Sequence, residues 1–327
     1  MPVGARPVSK RFQILSLDGG GIKGLFSAAV LAHLEEDLNT RIVDHFDLIV
    51  GTSTGGIIAL GLGCGLSPRE LVNFYVTKGP QIFAKGLMTA VKQVVRPKYS
   101  PIALEKAIKE CVGDATLGDS KKRLVIPAYN VGKDDVYLFK TPHHERLTRD
   151  YKVPIWKVAL ATSAAPTYFP AFVGVDHLRL IDGGVWANNP AMVGVTEAVS
   201  LLGQPLGSIH LLSLGTMSDV AHRPDRLDSG GVWPWCKHGV DIILRGQSRG
   251  AVTQAIHLLG KERVMRLDPV VPPGLFSLDG MRLSDHLGQA AAESRHFSPE
   301  FKERFMGHIA AEYTPCHTLK LEGEHAC

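Results

Sequence analysis

The sequence lacks any run of about 18 consecutive apolar residues, so it predicts no membrane-spanning helix. Its five cysteines are scattered, odd in number and without metal-ligand spacing, which argues against a disulfide framework and against a cysteine-based metal site. We therefore expect reduced thiols in a cytoplasmic compartment. The polar, basic segment 1–11 is followed by no apolar run and does not have the pattern of a secretion signal.

A strong excess of charge is also absent. The formal net charge of +4 at pH 7 does not indicate a nucleic-acid polymer as partner, although it permits attraction to an anionic membrane surface. Hydrophobic residues make up 45% and charged residues 21% of the chain, which is typical of a globular protein with a sizeable core. The 327 residues could form one domain or two, and without an internal repeat or a low-complexity linker we predict one.

Apolar segments that end at glycine clusters and precede helical patterns indicate an α/β fold. A strand over Phe12–Leu17 precedes a helix over Leu25–Leu38, and a strand over Asp47–Val50 precedes a helix that runs through Leu62. This repetition predicts a single α/β domain over 1–327, a three-layer sandwich with a mostly parallel central sheet. Further strands are predicted over Leu124–Tyr129, Val136–Lys140, Leu178–Ile181 and Ile209–Leu214, and further helices from Ser67-Pro68, from Ser100-Pro101 to Val112, over Pro154–Ala161 and over Pro190–Leu202.

The last third of the chain has a different composition. Thr216–His238 is rich in Gly, Pro, Asp and Ser, which predicts a long loop. A helical C-terminal part follows over about 240–315. Its predicted helices are Val240–Gln247, Val252–Leu259, Ser284–Ser294 and a last one from Ser298-Pro299 to about Tyr313.

Ser53 is the residue on which the predicted chemistry depends. It lies in Gly51-Thr-Ser-Thr-Gly55, between a predicted strand and a predicted helix. A hydroxyl on such a sharp turn, flanked by small residues, is typical of an exposed nucleophile. Gly51 and Gly55 leave room for the crowded backbone of the turn. Because glycine and serine also cluster in ordinary turns, this motif alone is only moderately specific.

A glycine-rich segment, Asp18-Gly-Gly-Gly-Ile-Lys-Gly24, follows the first strand directly. It matches the spacing of a dinucleotide-binding loop, with Asp47 about where the ribose-binding acid is expected, but that acid should end a strand and Asp47 begins one. We prefer an oxyanion hole made by the backbone N–H groups of Gly19–Gly21, with added positive potential from the following helix N-terminus and from Lys23. A glycine turn for tight packing is the alternative.

Asp182, at a strand end beside Gly183 and Gly184, is a candidate general base for Ser53. A carboxylate whose pKa is tuned by its surroundings can take a proton from a serine hydroxyl. By itself, Asp-Gly-Gly is more often a turn in which the aspartate bonds its own backbone. The combination with Ser53 makes the base the preferred interpretation, and together the three motifs suggest a hydrolase of acyl esters.

These residues together resemble the patatin-like phospholipases. The matching motifs span about residues 12–215 and are Asp18–Gly24, Gly51–Gly55 and Asp182–Gly184, with the flanks Phe74-Tyr75, Gly79–Phe83, Ala161–Pro166 and Trp186–Pro190. The resemblance implies a patatin-like fold and hydrolysis of fatty acyl esters of membrane glycerophospholipids. It implies a dyad of Ser53 as nucleophile and Asp182 as base, without a catalytic histidine, a metal or another cofactor. The remaining implied site residues are Gly19, Gly20 and Gly21 for the oxyanion, and Lys23, Gly24, Gly51, Gly55, Gly183 and Gly184 in support.

One position departs from the family. Lys23 stands where arginine is common, so the charge is kept but the fork-shaped donor is lost.

The resemblance also bears on partners and location. Compact bacterial members of the family include antiphage effectors that cyclic dinucleotides switch on, and this short chain is similar to them, so such an activator is a hypothesis. We expect a cytoplasmic protein that binds peripherally at the inner face of the membrane when active, and we allow for a homo-oligomer. The segment 82–96 has a basic amphipathic pattern suited to an anionic interface or to core packing, and Trp233 and Trp235 are candidates for interfacial anchors, a cap over the site, or core.

Two other classes of protein stay open. A soluble serine esterase or peptidase could use the same turn with a histidine, since the chain has 14 histidines. However, His210 lies in a predicted strand and His143-His144 in a polar stretch, and neither is in a glycine turn at a strand end. A non-catalytic nucleotide-binding protein would instead use Gly19–Gly24 for phosphate.

Overall fold

A computed structural model describes residues 11–82, 99–220, 225–228, 230, 232–272 and 283–319, except for the side chains at 226, 232–234, 236 and 237. The central sheet has seven strands: β1 (Phe12–Leu17), β2 (Leu48–Gly51), β3 (Arg123–Asn130), β4 (Asp135–Lys140), β5 (Leu180–Asp182), β6 (Ile209–Leu214) and β8 (Val264–Leu267). Their order is β4-β3-β2-β1-β6-β8, and β5 pairs with the second half of β3. Two short strands, β7 (Ser218–Asp219) and β9 (Val270–Val271), form a separate parallel pair.

Five of the seven sheet strands run parallel: β3, β2, β1, β6 and β8. The strands β4 and β5 are antiparallel to β3. The mixed, mostly parallel sheet predicted from the sequence is therefore confirmed. Parallel strands that are buried on both faces are continuous apolar runs, as β1 is.

Helices cover both faces of the sheet. They are α1 (Gly24–Leu38), α2 (Thr54–Cys64), α3 (Pro68–Ile82), α4 (Pro101–Val112), α5 (Ile155–Thr162), α6 (Gly184–Ala187), α7 (Ala191–Ser200), α8 (Val232–Leu259) and α9 (Leu283–Phe305). Alternate residues of β1 enter two different cores: Leu15 and Leu17 pack with α1 and α3, whereas Phe12 and Ile14 pack with α7 and the end of α8. The result is three layers, with the sheet in the middle.

The predicted starts of two helices are confirmed. Ser67 and Glu70 form a capping box at the start of α3, in which Glu70 accepts from the Ser67 N–H at 2.7 Å and the Ser67 hydroxyl accepts from the Glu70 N–H at 3.2 Å. Ser100 caps α4 by accepting the N–H of Ile102.

The prediction of a loop over Thr216–His238 and of two separate helices after it is wrong. Strand β7 and the first turns of α8 fall within the predicted loop, and α8 then continues without a break to Leu259. Pro234 is the third residue of α8, where a missing N–H costs no intrahelical hydrogen bond, so a proline-rich composition was compatible with a helix start. The strands β8 and β9, which follow α8, were not predicted.

The C-terminal helices also differ from the prediction. Pro299 lies inside α9 rather than opening a new helix, and α9 ends at Phe305 rather than at Tyr313. Phe301 and Phe305 pack against Phe46 with ring centroids at 6.5 and 5.8 Å, and this aromatic burial outweighs the hydrogen bond lost at the proline.

In the described part of the chain, none of the helices is long and apolar enough to cross a bilayer. The predicted amphipathic segment 82–96, apart from Ile82, and the side chain of Trp233 lie outside the described residues.

Candidate active site

Ser53 lies on a strained turn between β2 and α2. Its backbone has φ 55° and ψ −121°, a left-handed conformation that non-glycine residues rarely adopt. The turn requires glycine on both sides because the backbone approaches itself: a Cβ atom on Gly51 would lie 2.2 Å from the Gly55 oxygen, and one on Gly55 would lie 2.3 Å from the Leu17 oxygen. Gly51 and Gly55 therefore allow the turn that holds the hydroxyl at the C-terminal edge of the sheet.

Thr162, at the end of α5, fixes the backbone of this turn. The Ser53 N–H donates to Thr162 Oγ1 at 3.0 Å, and the same hydroxyl donates to the Pro127 carbonyl on β3 at 2.6 Å. From the sequence, Thr162 is only a member of the Ala161–Pro166 flank that contributes to the family resemblance, and no role is predicted for it. The contact was not predictable because it depends on where α5 ends relative to β2.

The hydroxyl of Ser53 donates to Oδ2 of Asp182 at 2.6 Å. The other carboxylate oxygen accepts the N–H of Gly184 at 2.7 Å, and the Asp182 N–H donates to the Ala164 carbonyl at 3.0 Å. Burial raises the pKa of Asp182 to about 6, and the hydrogen bonds from Ser53 and Gly184 oppose part of that rise. A carboxylate in this state is ionised at neutral pH and more basic than an exposed aspartate.

Gly183 is confined by β3, since a Cβ atom there would lie 2.4 Å from the Pro127 oxygen. The turn that carries Asp182 is thereby packed directly on the strand that also anchors Thr162.

The glycine loop after β1 borders the nucleophile. A Cβ atom on Gly19 would lie 3.3 Å from the Ser53 Cβ, and one on Gly24 would lie 2.2 Å from Thr54 Oγ1, so glycine allows the loop to approach the serine turn this closely. The N–H groups of Gly20 and Gly21 form no hydrogen bond within the described residues. An oxyanion hole requires such backbone donors, and here they belong to the loop whose Gly19 contacts Ser53.

Gly19 and Lys23 differ from what the sequence suggested. The Gly19 N–H already donates to the Asn188 carbonyl at 2.9 Å, so in this conformation Gly19 shapes the loop rather than offering a donor. Lys23 pairs with Asp219 of β7, with Nζ 3.4 Å from Oδ1, so the carboxylate offsets part of the positive charge that the sequence suggested beside the loop.

A single turn of α8 contacts both loops of the site. Ser248 donates to Asp18 Oδ2 at 3.3 Å, at the base of the glycine loop, and Gln247 donates to the Val185 carbonyl at 2.9 Å, directly after Gly184. Arg245 donates to the carbonyl of Asp219 at 2.6 Å. The C-terminal part of the chain is therefore joined to the motif-bearing core at the site itself, which the sequence did not indicate.

The dinucleotide interpretation does not fit this geometry. Asp47 precedes β2 and lies at the amino end of the sheet, whereas the glycine loop lies at the carboxyl end of β1. The Asp47 carboxylate is buried, and its Oδ2 accepts from the Gln13 N–H at 2.8 Å and lies 2.7 Å from His308 Nε2. It is not available to bind a ribose.

The candidate histidines are engaged elsewhere. His143 lies between Thr141 and Glu197, with its ring nitrogens 2.8 and 2.9 Å from their oxygens, and burial lowers its pKa. His210 lies 2.9 Å from the Arg11 guanidinium. Among the described residues, no histidine hydrogen-bonds to Ser53, and no group of three or more His, Cys, Asp or Glu could hold a metal ion.

An apolar groove with a volume of about 240 Å³ begins beside the carboxylate turn. One wall includes Ala164, whose carbonyl accepts the Asp182 N–H. The opposite walls come from the start of α4 and from a loop, and include Leu104, Phe169 and Val173. The volume corresponds to about eight water molecules at roughly 30 Å³ each, enough for part of an aliphatic chain.

Comparisons with known proteins identify relatives of this chain. Among curated relatives, a protein named cGAMP-activated phospholipase from Escherichia coli is 37% identical over 224 residues, which are 64% of this chain and 63% of that protein. One of the same name from Vibrio cholerae is 36% identical over 234 residues, 65% of this chain and 66% of that protein. Patatin-like protein 4 of Arabidopsis thaliana is 34% identical over 205 residues, 56% of this chain and 51% of that protein.

Each alignment thus spans about half to two thirds of the relative's length. Among solved structures, VipD of Legionella pneumophila superimposes with a TM-score of 0.49 at 12% identity, covering 90% of this chain and 67% of that one. The family model of the patatin-like phospholipases matches residues 15–195, more than half of the chain. This protein belongs to the patatin-like phospholipase family.

Proposed function

We propose that the protein is a serine acyl hydrolase of the phospholipase A type, which cleaves fatty acyl esters of membrane glycerophospholipids. The observation that carries the proposal is the 2.6 Å hydrogen bond from Ser53 to Asp182. The adjacent glycine loop supports it, because the N–H groups of Gly20 and Gly21 form no hydrogen bond in the described part of the chain. A nucleophile, a base and an oxyanion site within one small region are the parts that acyl transfer needs.

In the first half of the reaction, Ser53 Oγ attacks the ester carbonyl carbon while Asp182 takes the hydroxyl proton. The carbonyl oxygen becomes an oxyanion, which the amides of Gly20 and Gly21 stabilise. The bond to the leaving oxygen then breaks, and Asp182 returns the proton to that oxygen, so that a lysophospholipid leaves and an acyl-enzyme remains.

In the second half, water attacks the acyl-enzyme and Asp182 takes its proton. The tetrahedral intermediate collapses with release of the fatty acid, and the proton passes back to Ser53. The apolar groove beside Ala164 would accept the acyl chain, because it starts at the turn that carries the base.

Lipid product analysis after incubation with mixed phospholipid vesicles, with and without candidate cyclic dinucleotides, tests this function. We expect free fatty acid and lysophospholipid from the wild-type protein and neither from Ser53→Ala. Covalent labelling of Ser53 by a fluorophosphonate, lost in the same variant, is the supporting measurement. Equal product from the two proteins, or vesicles left intact by the wild-type protein both with and without the nucleotides while soluble esters are cleaved, would contradict a phospholipase and favour a soluble esterase.

We further propose that a cyclic dinucleotide activates the enzyme, as the names of the Escherichia coli and Vibrio cholerae relatives say of those proteins. Titration calorimetry with a panel of cyclic dinucleotides, paired with fatty-acid release in their presence, measures this directly. Absence of both heat and rate increase across the panel would contradict it.

Peripheral binding to the inner membrane face is part of the same proposal. Trp235 is 43% exposed near the start of α8, and Val240 and Ile243 of that helix are exposed as well. Such side chains insert readily at a bilayer interface. We expect Trp235→Ala to weaken vesicle binding while hydrolysis of a soluble short-chain ester is retained. Equal loss in both assays would indicate a folding defect instead.

A further inference from the structure

A buried ion pair lies directly beneath the glycine loop. Asp18 is the last residue before Gly19. The guanidinium of Arg266, on β8, donates two parallel hydrogen bonds to its carboxylate, from Nη1 to Oδ1 at 2.9 Å and from Nη2 to Oδ2 at 2.7 Å. This paired geometry is stronger and more directional than a single contact to an ammonium group. Arg266 lies outside residues 15–195, which the family model matches, and belongs to a strand that the sequence did not predict.

The pair is held from several sides. Arg266 also donates to Ser213 Oγ at 2.7 Å and to Ser248 Oγ at 3.4 Å, and it lies 3.0 Å from Asp268 Oδ2. One guanidinium thus contacts two carboxylates and two hydroxyl groups. Asn189 and Ser248 donate to Asp18 Oδ2 at 3.5 and 3.3 Å. The orientation of the Asp18 carboxylate is thereby fixed by residues from three separate segments: β8, α8 and the turn before α7.

The three glycines of the loop have no side chains of their own to fix its conformation. Three consecutive glycines have the largest backbone freedom of any residues, and Gly21 adopts φ 58°. Among the described residues, the hydrogen bonds that anchor the loop include those from the Asp18 N–H to the Leu214 carbonyl at 3.0 Å, from the Gly19 N–H to the Asn188 carbonyl at 2.9 Å and from the Lys23 N–H to the Gly20 carbonyl at 3.2 Å. Side chains add the bond from Thr216 Oγ1 to the Gly19 carbonyl at 3.3 Å and the pairing of Asp18 with Arg266. Of these, the Asp18–Arg266 pair is the charged and most directional one.

We propose that Arg266 is a positioning residue, which holds Asp18 so that the amides of Gly20 and Gly21 point at the developing oxyanion. The inference rests on the proposed acyl hydrolase function. A buried ion pair commonly contributes little net stability compared with apolar residues of the same shape, so its presence here fits a role in orientation. Burial raises the pKa of Asp18 to about 6, and Arg266 opposes that rise and so favours the charged form that it binds.

The test compares Arg266→Met and Arg266→Lys with a matched control, Arg123→Met. Arg123 is also a partly buried arginine of the central sheet, but it lies at the amino end of β3, where it donates to the Asp47 carbonyl at 3.3 Å. The readouts are kcat and KM for a soluble short-chain ester, per active site titrated with a fluorophosphonate. Titration corrects for any fraction of misfolded protein.

We expect kcat of Arg266→Met to fall by about 100-fold with little change in KM, because misaligned oxyanion donors affect the transition state more than the bound ester. Arg266→Lys, which keeps the charge without the fork, should recover part of the rate, and Arg123→Met should stay near wild type. The double variant Asp18→Asn/Arg266→Met leaves no unpaired buried charge. Its kcat should be no lower than that of the slower of the two single variants, Asp18→Asn and Arg266→Met.

Hydrogen exchange adds a readout that does not need turnover. We expect amides in peptides covering residues 12–25 to exchange faster in Arg266→Met, and unchanged exchange there in Arg123→Met. If the wild-type protein cleaves no ester, the proposed function fails. The comparison of hydrogen exchange in Arg266→Met and Arg123→Met still tests whether Arg266 holds the glycine loop in position. Unchanged exchange in folded Arg266→Met, unchanged kcat, or an equal kcat loss in Arg123→Met would each overturn the inference.

Discussion

The hydroxyl of Ser53 meets the carboxylate of Asp182 at 2.6 Å, although 129 positions separate the two residues in the sequence. Strand β3 brings them together, because β2 pairs with its first half at Arg123–Val125 and β5 pairs with its second half at Ala128–Asn130. Pro127 lies between these two pairings. Its carbonyl accepts the Thr162 hydroxyl, which in turn holds the backbone of Ser53. The relative position of nucleophile and base is therefore set by one strand.

Removal of either partner should abolish catalysis. We expect Ser53→Ala and Asp182→Asn each to lower kcat for fatty-acid release by about 1,000-fold or more, because the two side chains act as one unit. Thermal unfolding of both variants should show a folded protein. Near-normal activity of Asp182→Asn would contradict the dyad and point to a different base.

Activity should rise with pH through about 6. Asp182 accepts a proton only as the carboxylate, and burial places its pKa at about 6, so kcat/KM should be low at pH 5 and level off above pH 7. Asp18 also has its pKa raised to about 6 by burial, and its protonation weakens the pair with Arg266, which changes the rate in the same direction. The pH profile of a soluble ester in wild type and in Asp18→Asn separates the two, since the variant retains only the Asp182 titration. A flat profile between pH 5 and 8 would argue against a carboxylate base.

The buried charge of Asp182 should lower the free energy of unfolding compared with an uncharged side chain of the same shape. Its pKa is higher in the folded protein than the ordinary 3.8, so the unfolded chain ionises more easily and stability falls as pH rises between about 4 and 6. We expect Asp182→Asn, which keeps the shape without the charge, to raise the free energy of unfolding at pH 8 by on the order of 2 kcal/mol. In denaturant titrations the gain should shrink as pH is lowered to 5. A loss of stability at pH 8 would show that the hydrogen bonds to the carboxylate outweigh its desolvation.

Much of this arrangement could be predicted from local sequence, and some of it could not. The strands at Phe12–Leu17 and Ile209–Leu214 and the turn at Ser53 were predicted because apolar runs and glycine positions are local signals. Their assembly into a mostly parallel sheet followed from the strand–turn–helix order. The partnership of Ser53 with Asp182 was inferred from the combination of motifs and the family resemblance, because spacing alone does not bring distant turns together.

The contacts that support the site are long-range and have no local signature. Thr162 and Arg266 act through partners more than 100 positions away, and Gly19 gives its N–H to Asn188, a contact that no glycine pattern encodes. The continuous helix α8 was missed because Pro234 and Gly250 weaken the helical signal, whereas its apolar residues Ala255 and Leu259 are buried against the sheet. Burial of these residues against the sheet stabilises α8 where its intrinsic helix propensity is weak.

The strained backbone of Ser53 predicts an unusual order of stability among its variants. At φ 55° and ψ −121° a side chain is unfavourable, and glycine removes that cost. We expect Ser53→Gly to be more stable than Ser53→Ala by about 1 kcal/mol, the reverse of the usual order of these residues, since glycine normally costs more chain entropy. Chemical denaturation of the two inactive variants measures the difference. Equal stability, or a more stable alanine variant, would mean that the turn carries no strain.

The apolar groove predicts a preference for longer acyl chains. Val173 lines its rim and is exposed, so Val173→Trp should narrow the groove without disturbing the core. Val136 is an exposed valine of β4 outside the groove, and Val136→Trp is the matched control. We expect Val173→Trp to lower kcat/KM for a decanoate ester by about tenfold, in line with the loss of a few buried methylenes, and to leave a butanoate ester unaffected. A parallel loss for both esters, or the same change in Val136→Trp, would show that the acyl chain lies elsewhere.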